Sequence, residues 1–425
     1  MKIDFRPNRD FAAQLDRNDP LASFRSQFII SNPGMIYLDG NSLGRLPVRT
    51  IERMHTAVEQ EWGHELVSSW GKNWWEAPVR VGEKIAALVG AGPGQVIVSD
   101  SVSINLFKLA IAALSLHPER TKITTDTLNF PSDLYILQGL VRTLGDRHQI
   151  IRIGSRDNDI TPDLDELASA IDEDTALVTL SHVVFKSGYL YDMAAITELA
   201  HRQGALVLWD LSHSVGALPI SLDTSQADFA IGCTYKYLNG GPGSPAFMYV
   251  RRDLQEQVLS PISGWWGEKA PFAFSLDYTP APGMAHFLAG TQPILSLLAM
   301  EAGLDLTQET GLKNIRAKSV QMTEYLIYLF DAFLAPLGFN LGSPRSPVLR
   351  GSHVSIRHPE GYRINRTLIE EVNVIPDFRE PDNLRLGLAP LYTTFAEIWE
   401  AVDRIRQVVE EKRYQKYPSA RLAVT

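Results

Sequence analysis

Cysteine is almost absent from this chain of 425 residues, Cys233 being the only one. That excludes an internal disulfide framework and fits a reducing compartment, so a cytoplasmic location is expected. Positive charge is also short. Lys and Arg number 40 against 49 Asp and Glu, a formal net charge of −9, whereas a nucleic acid or an anionic membrane would favour a basic face. Neither is an expected partner, and any bound anion must be gripped locally. The opening Met1-Lys2-Ile3-Asp4-Phe5-Arg6 carries charges where an export signal needs an apolar run, so no export is expected. The longest uncharged stretch, Tyr278 to Met300, is interrupted by Pro280, Pro282, Gly283, His286, Gln292 and Pro293. A buried loop leading into a helix is predicted there instead of a membrane span. No Walker-type phosphate loop, internal repeat or low-complexity tract is visible, and no metal site is proposed.

What is there is the composition of an ordinary globular protein, 45% hydrophobic and 21% charged. At roughly 150 residues per domain the length suits two or three packed units. Asn32-Pro33-Gly34 and Asp39-Gly40-Asn41-Ser42-Leu43-Gly44 supply turn chemistry ahead of a periodic segment from Val48 to about Trp62, which predicts a helix. Strand-like runs follow at Val96–Ser99, Lys122–Thr125, Ile150–Ile153, Ala176–Leu180, Ala205–Trp209, Phe229–Gly232 and Phe247–Val250. Helical patterns at Ile104–Leu116, Ser132–Leu144, Leu164–Ile171 and Met193–Arg202 lie between most of them. This alternation predicts an α/β fold with a mainly parallel seven-stranded sheet flanked by helices.

Beyond Ile294 the texture changes. A long helical pattern to about Leu334, a break at Gly338–Pro347, short strands and a final helix from Phe395 to about Lys416 predict a second, smaller α+β unit. Ile398, Trp399, Val402, Ile405 and Val408 form one apolar face of that last helix, suited to packing. The expected division is residues 1–64 as an N-terminal segment packing with the small domain, 65–299 as the large domain and 300–425 as the small one.

Chemistry concentrates between Ala205 and Ser244. One apolar run delivers Asp210 to a strand's carboxyl end, where open α/β sheets put their ligands, and a second delivers Lys236. Either residue alone reads as a capping aspartate or a surface lysine. Lys236, however, is the only charged residue between Phe229 and Val250, where a lysine without a purpose would be costly to bury. Gly240, Gly241, Pro242 and Gly243 then let the backbone turn around a bound group. Pyridoxal 5′-phosphate chemistry needs such a pair: an amine to form the imine and a carboxylate to keep the pyridine nitrogen protonated. Its phosphate would be held by amides and hydroxyls at a helix start, as Ser99 to Leu106 provides, although in isolation an ordinary serine cap is the better reading of that stretch. In Thr127 to Asp133, Phe130 could stack on a flat ring while Asp133 reaches its substituents; otherwise Ser132 is a cap and Phe130 is core.

Five strings then form a pattern: Cys233 to Gly243 (Cys-Thr-Tyr-Lys-Tyr-Leu-Asn-Gly-Gly-Pro-Gly), Trp209 to Gly216 (Trp-Asp-Leu-Ser-His-Ser-Val-Gly), Asn129 to Asp133, Leu38 to Gly44 and Gly264 to Gly267. Together, from about Tyr37 to Tyr392, the chain resembles the kynureninase family of fold-type I pyridoxal-phosphate enzymes. The resemblance implies a homodimer with active sites at the subunit interface. It implies that Lys236 holds the cofactor, that Asp210 pairs with the pyridinium and that His213 supports the ring's oxygen side. Val102, Ser103, Ser181 and Tyr235 would line the cofactor or its phosphate, with Phe130 stacked over the ring and Pro131, Ser132 and Asp133 beside it. Trp265 and Thr291 resemble positions that reach the phosphate from the partner subunit; Trp266 stands where other members often carry Phe. Arg385 resembles the carboxylate-binding arginine, a role suited to a planar guanidinium. His64, Ser42 and Asn41 match positions near the substrate.

The implied reaction is hydrolysis of L-kynurenine, or of 3-hydroxykynurenine, to L-alanine and anthranilate or its 3-hydroxy form, in tryptophan catabolism, NAD biosynthesis or anthranilate supply. Lys236 would remove the α-proton and Tyr235 would donate a proton to the alanine fragment. An aminotransferase is the alternative on the same fold. A cysteine desulfurase needs a thiol on a mobile loop, whereas Cys233 lies in an apolar strand. A non-catalytic regulatory protein lacks support in any DNA-binding extension.

Overall fold

A computed structural model describes residues 4–418. Met1 to Ile3, where the export reading begins, and residues 419–425, the outer end of the last division above, lie outside the described residues. The seven apolar runs form one sheet: β1 (Val96–Val98), β2 (Lys122–Asp126), β3 (Gln149–Ile153), β4 (Thr175–Ser181), β5 (Leu206–Asp210), β6 (Phe229–Gly232) and β7 (Phe247–Val250). Their spatial order is β1-β7-β6-β5-β4-β2-β3. β7 runs antiparallel to β1 and β6, and the remaining pairs are parallel. Every residue of β1, β4, β5, β6 and β7 is buried. Strands covered on both faces have no solvent side to alternate with, which is why they read as continuous apolar runs.

Caps set where the helices begin. Ser101 accepts the Ile104 N–H at 3.5 Å to start the Val102–Leu116 helix, and Asp192 accepts the Ala195 N–H at 3.0 Å to start Met193–Arg202. Pro131 opens the Pro131–Thr143 helix in its first turn, where a missing N–H loses no bond. These starts place Ser101 to Ser103 and Phe130 to Asp133 just past the carboxyl ends of β1 and β2.

One core runs from Ala57 to Leu304 around this sheet. A second gathers Ala12, Ile36 and Leu38 with residues between Met322 and Val409. The second contains a four-stranded antiparallel sheet in the order Asp377–Arg379, Asn383–Gly387, His353–Arg357, Asn340–Leu341. Ile36–Tyr37 pairs in parallel with Val374–Ile375, so the N-terminal segment is stitched to this unit. The same segment continues to the other core: the Gly387 N–H donates to the Leu38 carbonyl at 2.6 Å, and the Gly44 N–H donates to the Tyr235 carbonyl at 2.7 Å.

Three local expectations are corrected. The helix predicted from Val48 is α-helical only to His55; wider π-type turns carry Thr56–Glu65. Within them the buried Glu61 collects Arg53, Asn73 and the Trp74 indole, a set of ties no periodicity announces. The long helix beyond Ile294 is two, Ile294–Thr310 and Leu312–Leu329, because Gly311 takes a φ of 78° between them. The loop predicted as buried from Tyr278 is exposed at Tyr278 and Thr279 and becomes buried mainly at Met284–Leu288, apart from the half-buried Ala285.

Gly44 is where the N-terminal loop meets the lysine turn. A Cβ there would stand 2.4 Å from the Lys236 carbonyl oxygen, so neither backbone can give way cheaply. Gly44→Ala is expected to cost about 1–3 kcal/mol, measured as a lower midpoint in urea unfolding.

Candidate active site

A cavity of about 690 Å³ opens at the carboxyl ends of the strands. It is lined by Asn41, Ser42, Val102, Ser103, Phe130, Ser132, Asp133, Asp210, His213, Tyr235, Lys236, Thr291 and Arg385, all singled out from the sequence. Four other candidates stand off it. Pro131 serves the helix beneath Ser132. Ser181 is buried behind the wall, donating to Asn129 Oδ1 at 2.7 Å; the same oxygen accepts the Phe130 N–H at 2.8 Å. Ser181 thus steadies Phe130 through Asn129. His64 is exposed on the π-type turn, and Trp265 is 40% exposed against Trp75 and Phe272. Both face outward within one chain. Thr291 sits on the rim, shared with an apolar hollow formed by Trp62, Trp70 and Trp74.

At the centre, Lys236 Nζ lies 2.9 Å from His213 Nε2. Burial, and then the Lys236 charge, push the His213 imidazole well below its ordinary pKa, so it is neutral. Asp210 accepts the Ser212 amide at 2.8 Å and the Ser212 hydroxyl at 2.6 Å, both on Oδ1. Burial raises the Asp210 carboxyl, while Lys236 and Ser212 pull it back down. Asp133 is raised well above the carboxylate range, by burial first and by the Asp210 charge second. Both carboxyls are held above the ordinary carboxylate range, Asp133 more strongly because the Asp210 charge adds to burial there. Phe130 packs edge-on against Phe185, with centroids 5.2 Å apart, and presents itself to the cavity.

At one end, the Ser103 and Ser132 hydroxyls stand 3.1 Å apart at two helix starts. The turn leading into them contains Asp100 at a φ of 49°. It is held by Lys108, whose fully buried ammonium donates to Asp100 Oδ2 at 2.6 Å and to the Phe287 carbonyl at 2.7 Å. Sequence reasoning missed Lys108, though the signal existed: it is the only charged residue in the Val102–Leu116 helix.

At the other end is Arg385, 1% exposed, with its pKa lowered by burial to about 10, so still a cation at neutral pH. It donates to the Phe185 carbonyl at 2.7 Å and to Ser42 Oγ at 3.0 Å, and it contacts Asp377. Arg379 also lines the cavity and pairs with Asp377 at 2.9 Å. Asp377 and Arg379 were missed. Asp377 faces Arg385 across two strands, and that register needs the fold.

These residues fit pyridoxal phosphate. An amine, a carboxylate for a ring nitrogen, a flat apolar cover and a hydroxyl-rich helix start all open on one cavity. His213 Nδ1, both amide atoms of Asn41 and Arg385 Nε are buried there with no hydrogen-bond partner. Leaving such groups unsatisfied costs free energy that a polar ligand would recover.

The sequence matches the aminotransferase class-V family over residues 36–337 and the kynureninase C-terminal domain over residues 315–405. A kynureninase of Pseudomonas fluorescens is 45% identical over 411 residues, 96% of each chain. A kynureninase of Burkholderia pseudomallei strain 1106a is 44% identical over 424 residues, 98% of this chain and 99% of its own. Among solved structures, a cysteine desulfurase of Thermococcus onnurineus NA1 superposes with a TM-score of 0.79 at 19% identity, covering 92% of this chain and 98% of its own. A C-DES variant with glycine linked to its PLP cofactor reaches 0.76 at 20% identity, over 90% of this chain and 98% of its own. At such identities those two speak for the fold alone. The full-length relatives and the matches spanning residues 36–405 speak for more: the chain belongs to the kynureninase family of pyridoxal-phosphate enzymes.

Proposed function

We propose that Lys236, Asp210, Tyr235 and Arg385 carry out the kynureninase reaction of this chain, hydrolysis of the Cβ–Cγ bond of L-kynurenine to anthranilate and L-alanine. The observation that carries the assignment is the 2.9 Å contact of Lys236 Nζ with a neutral His213, in a cavity that Asp210 and Arg385 also line. When bound, pyridoxal phosphate supplies a protonated ring that takes up electron density released at the substrate's carbon atoms.

The chain's residues do the rest. Arg385, ionised and rigidly held, takes the α-carboxylate and fixes Cα over Lys236. The Lys236 amine removes the Cα proton, and His213, being neutral, accepts a hydrogen bond from that amine without repelling it. Asp210 holds the proton on the ring nitrogen. Phe130 covers the ring and keeps water from its face. Ser103 and Ser132, with the helix start at Val102, receive the phosphate. The Tyr235 hydroxyl is pushed above its ordinary pKa by Cys233 and by burial, so it keeps its proton and can deliver it to Cβ once anthranilate departs. One water is consumed at Cγ.

The working unit is a homodimer in this reading. Support comes from large side chains left bare: Trp62, 55% exposed on the hollow that Thr291 shares with the cavity, Phe272 and Phe274, 66% and 72% exposed beside Trp265, and Val67 and Leu276, 78% and 101% exposed. Bare apolar side chains on this scale mark a protein contact. A second chain on that face would cover them and bring His64, Trp265 and Thr291 toward its neighbour's cavity. Among the described residues no helix is long and apolar enough to cross a membrane. Cys233, buried as a free thiol, supports a cytoplasmic enzyme. 3-Hydroxykynurenine is the second substrate to assay, with His64 near its ring and Ser42 and Asn41 in the loop beside Arg385.

Purified protein is expected to be yellow, and Lys236→Ala to abolish both the colour and anthranilate fluorescence from kynurenine. A colourless active protein would refute the lysine's role. Tyr235→Phe is expected to lower kcat by roughly 10²- to 10⁴-fold while the protein stays yellow; a kcat within twofold of the unmodified enzyme removes Tyr235 as the proton donor. Sedimentation is expected to give a dimer. Charged replacements at Phe272 and Leu276 should shift it toward monomer with loss of activity.

A further inference from the structure

The cation assigned to the substrate's carboxylate already has a carboxylate on it. Asp377 lies directly opposite Arg385 in the antiparallel pair, and its Oδ2 contacts Arg385 Nη2 and accepts the Ser42 hydroxyl at 3.0 Å. Arg385 and Ser42 line the cavity, whereas Asp377 stands behind them, 6% exposed. The other oxygen of Asp377 is held at 2.9 Å by Arg379, two residues along the same strand. Asp39, the second carboxylate of the cluster, is buried with its Oδ1 lacking a hydrogen-bond partner, although the charges of Arg385 and Arg379 both act on it. A substrate carboxylate arriving at Arg385 would put two anions on one buried guanidinium, an arrangement of low stability unless one anion moves to another cation. Arg379 is that cation. Its side chain is 37% exposed and could have faced water, yet it pairs with Asp377.

We propose that Asp377 is a stand-in for the substrate's α-carboxylate: substrate displaces it from Arg385, and Arg379 retains it once displaced. The inference rests on the assignment of Arg385 above. Asp377 is then a positioning residue that keeps the guanidinium aligned in the free enzyme and competes with every ligand that carries an α-carboxylate. A ligand without an α-carboxylate gains nothing at this end, because it has no group to put in the aspartate's place.

The exchange is read in the holoenzyme by calorimetric titration with L-alanine, which has the carboxylate but no bond to cleave, and by steady-state hydrolysis of kynurenine. Asp377→Asn keeps the shape and removes the competing charge. It is expected to tighten alanine and lower KM by roughly three- to tenfold, with a much smaller change in kcat. Arg379→Gln is expected to weaken both by a similar factor, and to lose that effect when combined with Asp377→Asn. Weaker alanine binding in Asp377→Asn, or an Arg379→Gln effect that persists in the double variant, would mean that the aspartate only fixes Arg385, and the exchange is overturned. If Asp377→Asn does not fold, Arg379→Gln decides alone, an unchanged alanine affinity overturning the proposal. Arg385→Lys separates the two readings: if it leaves alanine binding intact, Arg385 itself is misassigned.

Discussion

A lysine amine held 2.9 Å from a neutral imidazole, at the buried carboxyl edge of a sheet, is the constraint to which the rest of the molecule answers. Such a group is tolerated in a low-dielectric site only if its surroundings balance charge. The Lys236 charge favours ionised Asp210, while burial and the Asp210 charge together disfavour a second negative charge on Asp133. The imidazole of His353 lies 5.5 Å from that of His213, and burial lowers its pKa to about 3, so it adds no second positive charge either. The centre can therefore lend its amine to chemistry without reorganising its neighbours, which is the electrostatic preorganisation that catalysis requires.

The two ends of the cavity repeat one device. Each has a buried cation that reaches past the wall to fix a loop: Lys108 fixes Asp100 ahead of the serine-rich helix start, and Arg385 fixes Ser42 and Asp377 at the far side. The difference lies in access. Lys108 is sealed at 0% exposure and off the cavity, reaching it only through Asp100, while Arg385 lies on the wall itself and its pair is open to competition. On the proposed assignment, a phosphate that stays and an amino acid that comes and goes call for those two kinds of pair.

The sheet was legible because strands buried on both faces must be apolar throughout, and the caps at Ser101 and Asp192 mark helix starts by their own chemistry. Lys236 and Asp210 were legible because a lone charge in an apolar run demands a reason. The same signal marked Lys108, but the sought feature was a ligand and not a brace. What sequence could not yield is partnership across elements. Asp377 and Arg385 are eight positions apart, and only the register of the turn at Glu380–Asp382 makes them face each other. The π-type turns at Thr56–Glu65 depend on the same kind of knowledge, since Glu61 is buried by partners as distant as Trp74.

The distance between the Lys236 amine and the Arg385 guanidinium belongs to neither core. Lys236 stands on the turn after β6 and Arg385 on the small sheet, with Ile36 to Gly44 running between them. Along that segment, hydrogen bonds tie Ile36 to Asn373, Gly387 to Leu38 and Gly44 to Tyr235, and Ser42 touches Arg385 directly. Close packing excludes slack at two places: a Cβ on Gly387 would fall 1.8 Å from Asn41 Oδ1, and one on Gly44 would meet the Lys236 carbonyl. A short loop thus acts as a ruler between Lys236 and Arg385, which on the proposed reading sets where an α-carbon sits relative to its base. Because a misplacement of about 1 Å can cost roughly 10²-fold in rate, the turn-rich residues between Asp39 and Gly44 govern the chemistry as closely as the residues that perform it.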